Sequence, residues 1–116
     1  MAVDLSAVDM TRARTRRVNL NATGTNCVEV SLPPLCRQVD LYFTNGSGTA
    51  HEGAIADAGT DGAAQSTDAM VVPAGAVYCY PISVDVRAPA APKIYVSGHN
   101  NGHCHVVLIP GRPGSP

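Results

Sequence analysis

The stretch Lys93 to Pro110, KIYVSGHNNGHCHVVLIP, constrains the fold more than any other part of the chain. Ile94-Tyr95-Val96 is one β-prone run and Cys104 to Ile109 is another, with Asn101-Gly102 between them. An Asn-Gly pair in that setting signals a tight hairpin, because a type I′ turn needs positive φ at both central residues. The expectation is that the two runs pair directly and that the rest of the chain packs around them.

The same signature recurs upstream. Val18 to Ala22 alternates apolar and polar with period two, as a half-buried strand does. Cys27 to Leu32 places Val28, Val30 and Leu32 on one face and Glu29 and Ser31 on the other, and Pro33-Pro34 ends the run. Arg37 to Thr44 sets Val39, Leu41 and Phe43 against Asp40 and Tyr42. Asn45 to Gly48 and Gly59 to Gly62 read as hairpin turns. Residues 48–68 read as a long loop with one weak strand at Ala54-Ile55-Ala56. Ala69 to Val72 is a further strand. Ala76 to Val86 is a longer one, with Tyr78, Tyr80, Ile82, Val84 and Val86 on one face and Pro81 marking an edge or a break. Arg87 to Lys93 is a Pro/Ala connector.

Seven to eight short strands with turn signals between them, and no strand–helix alternation, give an all-β fold. The pattern is that of an antiparallel β-sandwich, jelly-roll-like. At 116 residues the chain is one domain that buries roughly 65% of its unfolded surface. It has no Trp and a single Phe, Phe43, so the core is built from small side chains and the sandwich is thin. The expected organisation is an extended arm over 1–17, a sandwich over 18–110 and a flexible tail over 111–116.

Net charge is −1, which marks neither nucleic acid nor an anionic membrane as partner. No apolar run approaches the ~20 residues needed to span a bilayer. The N-terminal residues lack the apolar core of a signal peptide, so Cys27, Cys36, Cys79 and Cys104 are expected as buried free thiols. They form no Cys-x-x-Cys pair. The arm carries Arg12, Arg14, Arg16 and Arg17 and suits an acidic surface or a neighbouring subunit. No aromatic lies among these arginines to stack on bases, which counts against nucleic acid.

His99, His103 and His105 are the metal candidates. Two histidines at i and i+2 on a strand share a face, with His99 across the expected turn as a third ligand. The competing reading is a solvent-facing histidine pair opposite Cys104, Val106 and Leu108. No nucleophile elbow, phosphate loop or EF-hand spacing is present. Neither an enzymatic activity nor a cofactor is expected.

Several passages resemble small β-sandwich structural proteins of tailed bacteriophages. They are Val18 to Thr25, Val28 to Phe43 with its LPPLCR segment, Gly59-Thr-Asp-Gly-Ala, Val72-Pro-Ala-Gly and Ile94-Tyr-Val-Ser-Gly. The resemblance spans residues 18–109. It implies a non-enzymatic virion protein that decorates or cements a capsid surface, with the major capsid protein and copies of itself as partners, in a small oligomer such as a trimer. Two other readings stay open. One is a tail or receptor-binding module that uses Tyr42, Tyr78, Tyr80 and Tyr95 as an exposed surface. The other is a cupin-like metal protein that uses His99, His103 and His105.

Overall fold

A computed structural model describes residues 2–20, 26–82 and 92–111. Nine strands and no helix occur among them: β1 (Val3–Asp4), β2 (Arg14–Leu20), β3 (Val28–Ser31), β4 (Cys36–Thr44), β5 (Gly53–Ala56), β6 (Met70–Val72), β7 (Tyr78–Pro81), β8 (Lys93–Ser97) and β9 (Gly102–Pro110). They form two sheets, ordered β1-β3-β8-β5-β6 and β2-β9-β4-β7. Apart from the short parallel β1–β3 pair, the ladders are antiparallel.

Leaving β1 aside, the pairing is nested. β2 pairs with β9, β3 with β8, β4 with β7 and β5 with β6. One long antiparallel ribbon, rolled so that β4 also meets β9 and β5 also meets β8, produces this order. That is the jelly roll. The sandwich read from the alternation is therefore the observed architecture.

Its core follows from the same alternation. Val39, Leu41 and Phe43 of β4 lie opposite Leu108, Val106 and Cys104 of β9, and all six are buried. Val28, Val30, Ile94, Val96 and Ile55 supply the facing layer. Phe43, the one large ring in this core, packs over Gly53. Ile94, Tyr95 and Val96 are buried in succession because β8 is covered on both faces. The core lies beneath it. Above it the 57–69 segment holds Tyr95 through Gly59 against the ring and a Gln65 Nε2 bond of 3.1 Å to the Tyr95 carbonyl.

The expected 93–110 hairpin does not form. β8 and β9 belong to different sheets, and the residues between them turn a corner from one sheet to the other. Gly102 N donates to His99 O at 2.8 Å, and Asn101 alone takes positive φ, at 63°. A type I′ turn needs positive φ at both central residues, so Asn101-Gly102 is not one. A two-residue loop cannot bridge packed sheets about 10 Å apart. The longer corner, tied by Asn101 N to Leu20 O at 2.9 Å, does so.

The N-terminal expectation is also corrected. Residues 14–17 are the first four residues of β2, and Val3–Asp4 add a strand beside β3. Val3, Leu5, Val8 and Met10 pack against the core. The described part of 1–17 thus belongs to the sandwich, and no boundary falls at 17/18. Pro81 sits where its missing N–H is harmless, on the outer strand β7. Asn21, Ala22, Val84, Val86 and the 112–116 tail lie outside the described residues. The weak strand expected at Ala54-Ile55-Ala56 is β5, in the interior of its sheet. Cys27, Cys36 and Cys104 are buried free thiols, whereas Cys79 is exposed.

Candidate binding face

The outward side of the four-stranded sheet gathers residues from three strands, β2, β4 and β9, that are far apart in sequence. Arg17 of β2 and Tyr42 of β4 both lie directly opposite His105 of β9. Asn19, His103 and Thr44 form the next row, and Thr15, Val107 and Asp40 the row on the other side. Alternation accounts for this. Cys104, Val106 and Leu108 point into the core, so His103, His105 and Val107 point out.

The site is an open groove of about 420 Å³ bordered by Thr15, Arg17, Asp40, Tyr42, Val77 and His105. The His105 and Tyr42 rings are tilted with centroids 6.2 Å apart, and His103 lies 6.1 Å from His105. His105 Nε2 and Thr44 Oγ1 are hydrogen bonded at 3.0 Å. Burial pushes the His105 pKa below its ordinary value, helped by His103 and by the Arg17 cation. The neutral imidazole is thereby favoured. Thr44 is only 3% exposed, so its hydroxyl is a support for His105 rather than an open nucleophile. What the groove offers a partner includes the Arg17 guanidinium, the Tyr42 phenol, the Asp40 carboxylate, the His105 imidazole and the apolar surface of Val77 and Val107.

The structure divides the sequence candidates. Arg17 joins the groove. Arg16 borders it and bonds the Thr15 carbonyl at 2.8 Å. Arg14 is taken up by Asp9, with a 3.1 Å ion pair and an Nε bond of 2.9 Å to the Asp9 carbonyl. Arg12 is exposed. The histidine trio does not converge. His103 and His105 are on the sheet face, whereas His99 stacks edge-on with His51 at 4.8 Å beside the corner. Had a hairpin formed, His99 would stand across from β9. Among the described residues no three His, Cys, Asp or Glu side chains meet in a way that could hold a metal. Among the described residues the buried polar side chains are Thr44 and Ser97, and the buried thiols are Cys27, Cys36 and Cys104.

The four tyrosines do not form one exposed surface. Tyr95 is buried and donates to Glu29 Oε1 at 3.0 Å. Tyr78 and Tyr80 are half-buried in line with Leu41 and Val39, and only Tyr42 reaches the groove. Asp40 and Tyr42 were readable as the outward residues of their strand. That they stand beside His105 was not, because the β4–β9 pairing joins segments about sixty residues apart and no local signal announces it.

Compared with protein-family models, characterised proteins and solved structures, the chain matches none. The likeness to phage structural proteins therefore rests on the sequence passages alone.

Proposed function

We propose that the chain is a non-enzymatic virion structural protein that decorates or cements a bacteriophage capsid, with the major capsid protein and copies of itself as partners. The observation that carries the reading is where the chemistry lies. The interior is filled by apolar side chains, while the charged, aromatic and hydrogen-bonding groups gather on an open sheet face around Arg17, His105 and Tyr42. An enzyme site is ordinarily an enclosed pocket with convergent polar groups, whereas a contact face is open and mixed. Jelly rolls serve in viral capsids, lectins and cupins alike, so the architecture agrees with the reading without selecting it.

The test is co-sedimentation with purified capsids. The wild-type protein should pellet with them at a fixed stoichiometry, and Arg17→Glu combined with Tyr42→Ala should lower occupancy. Point substitutions are the right probe, since removal of residues 1–17 would delete half of β2. A wild-type protein that stays in the supernatant with intact capsids would end this reading.

A further inference from the structure

Charge is segregated between the two sides of the sandwich. Among the described residues, the strands of the four-stranded sheet carry Arg14, Arg16, Arg17 and Arg37 against Asp40 alone. The five-stranded sheet and the 57–69 segment beside it carry Asp4, Glu29, Asp57, Asp61 and Asp68 together with Lys93, with Asp57 at the edge of the sandwich next to Tyr80. Two of the basic residues, Arg14 and Arg37, also share one end of their sheet, while Arg17 lies midway along it opposite His105. Arg14 pairs with Leu108, and Cys36, next to Arg37, pairs with Pro110, so both lie near the end of β9. Arg12 precedes them in the chain. Arg16, Arg17 and Arg37 are exposed and form no ion pair among the described residues, and neither do the exposed Asp57 and Asp68.

A near-neutral chain arranged this way is poorly matched to a polyanion, which its acidic side would repel. It is well matched to a body with the same segregation. We infer that a second copy of this chain docks head to tail, with its acidic 57–69 segment against the middle of β2 at Arg16 and Arg17 and the groove beside it. The contact is heterologous: it joins different patches of two identical subunits, so each copy keeps one free patch of each sign and assembly continues until a ring closes or a chain extends. The inference stands on charge placement and does not depend on the capsid reading.

Light scattering on the purified protein, without capsids, tests it. At about 50 mM salt the mass should be at least twice 12.0 kDa, and at about 0.5 M it should fall toward the monomer as screening shortens the reach of the charges. Arg16→Glu with Arg17→Glu should weaken association on the order of 100-fold, and Asp57→Lys with Asp68→Lys should do the same. Mixing the two variants one to one should restore the assembly, because each then offers the sign the other lacks. Rescue on mixing also shows that both variants are folded. Should either fail to melt like wild type, Gln replacements at the same positions take its place, with a smaller expected loss. A wild-type monomer at low salt overturns the inference, whether or not it retains a single-stranded oligonucleotide. So does an oligomer indifferent to salt and to both charge reversals. Loss of capsid binding with self-association intact would remove only the function proposed above.

Discussion

The Phe43 ring occupies the space that a side chain on Gly53 would need: a Cβ built there would overlap the Cγ, Cδ1 and Cδ2 atoms of the ring. Phe43 is the largest fully buried side chain, and Gly53 opens β5 directly beneath it. Gly53→Ala should therefore destabilise by about 2–3 kcal/mol through overpacking. Phe43→Leu alone should cost on the order of 1–2 kcal/mol through a partly filled cavity. Together the two should cost clearly less than their sum. A double-mutant cycle in urea reads the coupling, and strict additivity would show that the two residues do not share this space.

At the corner between β8 and β9, Asn101 holds φ at 63°. Asn101→Gly should be close to neutral, and Asn101→Val should cost about 1–2 kcal/mol, because a β-branched side chain resists the left-handed region. Gly102 has no positive φ, yet a Cβ there would strike the Thr44 and His99 carbonyl oxygens. Gly102→Ala should thus be harmful for a different reason. Thermal melts of the three variants separate the two causes.

This corner also marks where the sequence stopped being legible. Inward faces were readable, since Val28/Val30 and Val39/Leu41/Phe43 follow a period of two that the core enforces. The edge position of β7 was readable from Pro81. Strand partners were not. Asn101-Gly102 carries a local hairpin signal, but the burial of Ile94, Tyr95 and Val96 between β3, β5 and the 57–69 segment outweighs it. The N-terminal residues misled for a related reason. Four closely spaced arginines read as an extended arm, yet an edge strand accepts charges that project from its open side, and the apolar anchors Val3, Leu5, Val8 and Met10 are too scattered to show a period. For the site, His103 and His105 were visible as a same-face pair, and their neighbours Arg17 and Tyr42 became visible only with the strand order.

His105 gives the groove a pH response. Its folded-state pKa lies below the ordinary 6.5, first through burial and then through His103 and Arg17. The unfolded chain therefore takes up the proton more readily than the folded one. This group's contribution is full above pH 6.5, is lost progressively as pH falls through the window beneath it, and levels off below the folded pKa. His105→Gln should flatten the wild-type fall in stability between about pH 7 and 5, as read from urea midpoints. An unchanged slope would assign the response to other groups.

Tyr95 ionises above the ordinary tyrosine range, first because its hydroxyl bonds Glu29 and then because it is covered. Lys93 Nζ stands 3.7 Å from the same carboxylate. Tyr95→Phe should cost about 1 kcal/mol, the net worth of one such bond. Tyr95→Ala should cost about 3–5 kcal/mol, because the 57–69 segment loses the ring it rests on. The late-titrating phenolate absorbance of the wild type, to which the half-buried Tyr80 also contributes, should fall by one tyrosine in the Tyr95→Phe variant.

The N-terminal segment behaves in this fold as a staple. β1 extends the five-stranded sheet beside β3, Leu5 N donates to Ser31 O at 2.8 Å, and Leu5, Val8 and Met10 then pack on the core before β2 joins the opposite sheet. One side of the sandwich is thus closed by chain that links both layers. Deleting residues 1–10 should remove about 3 kcal/mol of apolar burial and pairing and lower the melting temperature by about 10–20 °C. Leu5→Ser with Val8→Ser should give part of that loss, while Arg12→Ala should leave stability within about 0.5 kcal/mol, since an exposed surface charge contributes little. A deletion that melts like the full chain would mean that the segment is a free arm after all.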